Sequence, residues 1–147
     1  MKKLIFVLIM ILTIPALFAQ TVDSIKPGKE EGSVDRKWLK KTIKNGIPEN
    51  IVFIDVRSDM EHEDDPAPNA KNVPVNLFIE DNGCELFLEQ IPGDKYVIFV
   101  CPYGPRAEES YFNLKDPVED GGCGYTGNNI FWNDGKVKFK ESGIVIK

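Results

Sequence analysis

Apolar positions along this chain fall into a few continuous runs, with longer periodic and polar stretches between them. Ile51-Val-Phe-Ile-Asp-Val56 and Tyr96-Val-Ile-Phe-Val100 are nearly all apolar over five or six residues. Runs of that length predict strands buried on both faces of a parallel sheet. In Val34–Gly46 the residues Trp38, Leu39 and Ile43 fall on one helical face. A helix is predicted there, with Asp35 as N-cap and Gly46 suited to its C-terminal cap. The stretch Ser58–Lys71 is polar and proline-bearing and reads as loop, followed by a brief extended piece, Asn72–Val75. Cys84–Ile91 reads as a helix ended by Pro92-Gly93, and Arg106 to about Leu114 as another. From Asp120 the pattern loosens: Gly121–Gly124 and Asn128-Asn129 mark turns, and Trp132 is a core or lid aromatic. Lys136–Lys140 alternates as a half-exposed strand would. Short apolar strands alternating with helices predict an α/β sandwich around a mainly parallel sheet, with helices on both faces. No internal repeat is present.

One further apolar run stands apart. Leu4–Leu12 follows Lys2 and Lys3 and is broken by Pro15, with Ala16-Leu-Phe-Ala19 before Gln20. This is the pattern of a secretory signal peptide cleaved near Ala19, and its apolar core is shorter than the roughly 20 residues of a spanning helix. Export to the periplasm or outside the cell is the expectation, with no stable membrane insertion after cleavage. Removal of residues 1–19 takes two lysines and moves the formal charge from −5 to −7. An acidic chain without a basic cluster argues against nucleic acid and anionic membrane surfaces as partners. Residues 20–33 are polar, with Pro27 and Gly28, and read as a flexible leader. The remainder, 34–147, is long enough for one domain with its own core.

Candidate chemistry concentrates at Cys101-Pro-Tyr-Gly-Pro-Arg106-Ala107. A cysteine that ends a buried strand and opens a Gly/Pro turn into a helix meets the free N–H groups and the positive end of that helix. Arg106 adds a full positive charge. Both favour a thiolate and hence a nucleophile. Asp55-Val56-Arg57 ends the other buried strand. Ligands of such sheets sit at the carboxyl ends of strands, so both segments can face one pocket. The three cysteines make an odd set: either all are free, or one pair closes and one thiol remains. Cys84–Cys123 is the natural pair if Cys101 is functional. There is one histidine and no Cys-x-x-Cys, so no spacing fits a zinc site. His62, inside Glu61-His-Glu-Asp-Asp65, reads as a solvated loop residue.

Three blocks together resemble the rhodanese family of sulfurtransferases. Ile54-Asp55-Val56-Arg57 with Glu61 is similar to the family's strand-end Asp-Val-Arg-x-x-x-Glu. Pro68-Asn-Ala-Lys-Asn-Val-Pro74 is similar to the end of its Gly-His-Ile-x-Gly-Ala-x-Asn-Ile-Pro. Cys101-x-x-Gly104-x-Arg106-Ala107 matches its six-residue active loop, and Gly127, Trp132 and Gly135 form a weaker echo. The resemblance spans roughly residues 34–136. It implies a rhodanese-like three-layer sandwich and sulfur transfer through a persulfide on Cys101, with no metal or organic cofactor. The donor would be a small sulfane compound such as thiosulfate, and the acceptor a small thiophile or a protein thiol. It also implies that Arg106 attracts an anionic donor, that Tyr103, Gly104 and Ala107 contribute cradle N–H groups, and that Arg57 binds substrate or supports the pocket. Asp55, Glu61 and Trp132 are then structural.

The chain departs from the family pattern at Asp65-Pro66, which replaces a Gly-His pair, and at Pro102 and Pro105, which have no N–H to donate. From Val118 to Gly124 turn residues stand where the family leads into a strand, so a remodelled last βα unit is expected. Four residues separate Cys101 from Arg106, one fewer than the Cys-x5-Arg loop of tyrosine phosphatases. Two other functions remain open on sequence: a non-catalytic binding or persulfide-carrier module, and a periplasmic thiol redox protein in which Cys123 resolves Cys101.

Overall fold

The computed structural model describes residues 20–147, so the expected signal peptide lies outside the described residues. The two apolar runs form neighbouring strands, β1 (Ile51–Asp55) and β3 (Tyr96–Val100), paired in parallel from Ile51↔Tyr96 to Asp55↔Val100. β2 (Ala70–Asn72) lies on the free edge of β1, and β4 (Ile130–Trp132) on the free edge of β3, giving the order β2-β1-β3-β4. All three pairings are parallel.

Successive side chains of a strand point to opposite faces, and here both faces are covered. Ile51, Phe53, Ile98 and Val100 pack in one apolar layer with Leu39 of α1 (Arg36–Lys44) and with Val137, Ile144 and Ile146. The last three belong to a short antiparallel hairpin of β5 (Val137–Lys138) and β6 (Val145–Ile146) and to its loop. Ile54, Val97, Phe99 and Cys101 pack in the other layer with Phe87 of α3 (Gly83–Leu88) and with Ala107, Tyr111 and Leu114 of α4 (Pro105–Lys115). This two-sided burial is why the strand sequences are almost unbroken apolar runs. Asp35 caps α1 by accepting the Trp38 N–H at 2.8 Å, as its position predicts.

Two sequence expectations are corrected. Ser58–Lys71 is not all loop: Asp59–Asp64 forms helix α2, started by a reciprocal capping box between Ser58 and Glu61. That box satisfies two of the N–H groups a helix start leaves free, which suffices for so short and polar a helix. Residues 20–33 are not a free leader. Ile25 is buried in the α1-side layer, and Ser33 bridges Trp132 in parallel along the outer edge of β4. The Val34 N–H donates to Trp132 O, the Trp132 N–H to Gly32 O, and the Trp132 indole to Glu31 O. The segment thereby covers a sheet edge that would otherwise stand open. Between α4 and β4 there is no helix or strand among the described residues except a 3-10 turn, Val118–Asp120. Cys84 and Cys123 form a disulfide across this region, joining the start of α3 to the loop, with Cα atoms 5.4 Å apart.

The packed leader makes a testable difference. Ile25→Ala should lower the unfolding free energy by about 2 kcal/mol, the cost of emptying a buried aliphatic site. Gly32→Ala should also destabilise, because Gly32 has φ +70° and an added Cβ would fall inside the Tyr111 ring. Chemical denaturation of the protein checks both; unchanged midpoints would mean that the segment contributes nothing to the fold.

Candidate active site

Because Asp55 and Val100 are register partners, the residues that follow them emerge side by side at the carboxyl edge of the sheet. The Val56 N–H still donates to Val100 O at 3.0 Å. Cys101 is the first residue beyond β3. It is the free cysteine of the described residues and is only 1% exposed. Cys123 is tied to Cys84, so the structure does not support the pairing of Cys101 with Cys123 on which the redox alternative rests.

The loop after Cys101 turns sharply at Gly104, which has φ +107°. This region is open to glycine and strained for other residues. A Cβ there would also stand 3.2 Å from the Asp134 backbone. The turn brings the Gly104 N–H to 3.1 Å from Cys101 Sγ. Pro105 is the first residue of α4, where a helix makes no use of an N–H. Its ring therefore removes no intrahelical bond, and the first-turn N–H groups of Arg106 and Ala107 stay without intrahelical partners. Pro102 turns its carbonyl to the Val137 N–H at 3.0 Å, which fastens the loop to β5. Tyr103 is 69% exposed at the tip, with Lys136 Nζ 5.7 Å from its ring centre.

Asp55 and Arg57 are both buried and form a close ion pair. Arg57 Nη2 lies 2.7 Å from Asp55 Oδ2, and Nε is 3.0 Å from each carboxylate oxygen. The other guanidinium edge donates to Glu61 O at 3.0 Å and Asp65 O at 2.8 Å, and its face stacks 3.6 Å above the Phe139 ring centre. Asn72 closes the opposite side by donating to the carbonyls of Asp55 and Arg57. Asp55 is thus fully engaged inside the fold, and the polar atoms of the Arg57 side chain are bonded to Asp55, Glu61 and Asp65.

His62 corrects the expectation of a solvated loop residue. Its Nδ1 lies 2.9 Å from Asp55 Oδ2. A carboxylate only accepts hydrogen bonds, so Nδ1 carries the proton. Pattern alone could not single it out among the surrounding acids. The turn of α2 that sets Glu61 beside Arg106 also carries His62 back to Asp55.

Arg106 does not stand free. Its Nη1 and Nη2 donate to Glu61 Oε2 and Oε1 at 2.6 and 2.9 Å, a two-pronged pair joining α4 to α2. Arg106 is held above its ordinary range, first by this bond and against burial, with smaller charge contributions from Cys101 and Asp55. The same bond holds Glu61 down at about 2, against the opposing effect of burial. Below the loop lies a cleft of about 390 Å³ lined by Arg57, Glu61, Asp64, Asp65, Pro102 and Phe139 among others. Trp132 is buried in the α4-side layer, so it is core rather than lid.

Two stability predictions arise from these pairs. Arg57→Ala leaves the buried Asp55 carboxylate uncompensated and should cost about 3–5 kcal/mol; a cost under 1 kcal/mol would contradict its role as a post. Glu61 is 43% exposed, so solvent screens its pair with Arg106, which contributes about 1 kcal/mol. A carboxyl held low in the folded state stabilises above its unfolded value and loses that contribution as pH falls toward the folded one. Glu61→Gln should therefore destabilise near neutral pH, and the difference from wild type should vanish between about pH 4.5 and 2. Denaturation midpoints at both ends check it, and a difference independent of pH would contradict the pair.

The model of the family described as "Rhodanese-like domain" matches residues 35–140. No curated protein matches the chain. Among solved structures, a rhodanese-related protein from Thermoplasma volcanium is similar at 21% identity and TM-score 0.46, over 71% of this chain and 84% of its own. The single domain sulfurtransferase RDL2 of Saccharomyces cerevisiae is similar at 21% identity and TM-score 0.45, over 74% and 86%. SSP1007 from Staphylococcus saprophyticus is similar at 21% identity and TM-score 0.46, over 76% and 92%. The family match runs from the cap of α1 through the reactive loop to the hairpin behind it, and the chain belongs to the rhodanese-like domain family.

Proposed function

We propose that the protein is an exported sulfurtransferase that carries sulfane sulfur on Cys101. The observation that carries this reading is the Gly104 N–H aimed at Cys101 Sγ from a positive-φ turn at the start of α4. Main-chain donors so placed stabilise negative charge on sulfur as an oxyanion hole does on oxygen. In the first half-reaction the Cys101 thiolate attacks the sulfane sulfur of thiosulfate. The sulfur–sulfur bond breaks, sulfite leaves with the electron pair, and a persulfide anion remains. In the second, cyanide or a thiolate attacks the outer sulfur and restores the Cys101 thiolate. Two covalent half-reactions give ping-pong kinetics. The near-complete burial of Cys101 favours a small donor. Export is supported by the charge and apolar pattern of residues 1–19 and by a disulfide suited to an oxidising compartment.

A second reading is favoured by one observation. Arg106 is engaged by Glu61, and the cleft beside Pro102 sets Glu61, Asp64 and Asp65 against Arg57 and Lys138, so the surroundings of the loop do not form a cationic pocket. A carrier module that accepts sulfur from a neutral donor, without turning over thiosulfate, fits that balance.

Thiocyanate formation from thiosulfate and cyanide separates the two. Parallel double-reciprocal lines are expected, and Cys101→Ser should abolish turnover while leaving the denaturation midpoint in place. Retained activity in that variant would overturn the mechanism. Arg106→Ala should weaken use of thiosulfate by about tenfold or more and leave a neutral polysulfide donor less affected, since it removes charge rather than the nucleophile. Equal loss with both donors would contradict an anion-binding role for Arg106.

A further inference from the structure

Away from Cys101, the Cys84–Cys123 disulfide lies in the wall of a second cleft, of about 440 Å³, whose other lining includes Val75, Phe78, Ile79 and Asn113. Both cysteines are half-buried rather than enclosed. Two similar tips continue the lining along the chain as its rim, one running on from Ile79 and one running up to Gly121, both of which line the cleft. Ile79-Glu80-Asp81 closes the 3-10 turn before α3, and Val118-Glu119-Asp120 forms the 3-10 turn after α4. Ile79 is 83% exposed and Val118 70%, and the four acids beside them are exposed. None of those acids enters an ion pair among the described residues. The disulfide thus shares its cleft with the exposed Ile79 and the exposed, unpaired carboxylate of Glu109 among the described residues, and the chain next to the lining adds Val118 and four more uncompensated carboxylates.

The backbone around each cysteine is secured without the sulfur bond. Gly83 N–H donates to Glu80 O at 2.9 Å on one side. On the other, Cys123 N–H donates to Asn113 O at 2.8 Å, Gly122 N–H to Pro117 O at 3.0 Å and Gly124 N–H to Asp116 O at 2.9 Å. Phe78 stacks on Phe87 at 4.3 Å between ring centres, and Phe87 meets Phe99 of β3 edge-on. The bond can open while both walls of the cleft stay in place.

We propose that Cys84–Cys123 is a thiol–disulfide exchange site for a dithiol partner whose contact face is apolar at its centre and basic around it. One thiolate of the partner attacks a sulfur of the pair. The Cys84–Cys123 bond breaks, a mixed disulfide forms, and the other cysteine leaves as thiolate. The partner's second thiolate then attacks the mixed disulfide and frees the remaining cysteine. Two electrons pass to the pair, two protons follow, and the partner ends as a disulfide. The apolar tips supply contact area, and the carboxylates supply steering and select against acidic faces. The site is independent of sulfur transfer at Cys101.

The test uses the mature chain with Cys101→Ser, so that every thiol detected belongs to this pair. Two synthetic Cys-Gly-Pro-Cys peptides are the reductants, one flanked by lysines and one by glutamates. Free thiols are alkylated over time and counted by intact mass, with circular dichroism reporting the fold. The lysine peptide is expected to open the disulfide in the folded protein about tenfold faster than the glutamate peptide at low salt, a gap that closes at high salt. Neutralising Glu80, Asp81, Glu109, Glu119 and Asp120 to their amides should remove the gap as well. Equal rates for the two peptides would overturn the selecting role of the rim. Reduction only after unfolding would overturn the exchange site and leave a fixed staple.

Discussion

The buried pair of Asp55 and Arg57 is the contact on which the Cys101 edge of the sheet depends. Taking two charges out of water is expensive unless each is fully bonded, and this pair is bonded on every side. Asp55 receives Arg57 and His62; Arg57 reaches the carbonyls of Glu61 and Asp65 and lies on Phe139. These bonds fix where the chain goes after β1. They place α2, and with it the Glu61 carboxylate, opposite α4. Glu61 in turn holds Arg106, two residues beyond the Gly104 turn that addresses Cys101. A line of specific bonds therefore runs from the end of one central strand to the sulfur at the end of its neighbour.

The reactive loop shows how two prolines coexist with a main-chain cradle. Proline lacks an N–H, and a loop that works through N–H groups tolerates it only where none is needed. Pro105 opens α4, and Pro102 serves through its carbonyl, which accepts the Val137 N–H. The donor that reaches the sulfur belongs to Gly104, the residue whose positive φ allows the turn. Both prolines thus stiffen the loop beside Cys101 and leave the donating position untouched.

Much of this was legible from the residues. Two-sided burial writes itself as unbroken apolar runs, so β3 could be placed to the residue and β1 to within one residue at its end. Their carboxyl ends identified Asp55, Arg57 and Cys101 as neighbours. What the pattern hid has a common cause: it depends on partners distant in sequence. The segment 20–33 looks polar because one face of it is solvent, yet Ile25 joins the α1-side apolar layer and the Glu31 carbonyl accepts the Trp132 indole across the fold. α2 has no apolar stripe, because its stability comes from the capping box and from Arg57 reaching its carbonyls. His62 and Phe139 acquire meaning only once Asp55 and Arg57 are buried between them. The alternation in Lys136–Lys140 did hold part of the signal, since Val137 and Phe139 share the inward face that meets the loop and the guanidinium.

Intact mass of the protein after incubation with thiosulfate, with and without cyanide, tests the central claim most directly. The account predicts a gain of one sulfur, about 32 Da, located on the Cys101 peptide and removed by cyanide, as a covalent intermediate requires. A protein that gains no sulfur from thiosulfate or from polysulfide, while its Cys101 remains open to alkylation on unfolding, would contradict it.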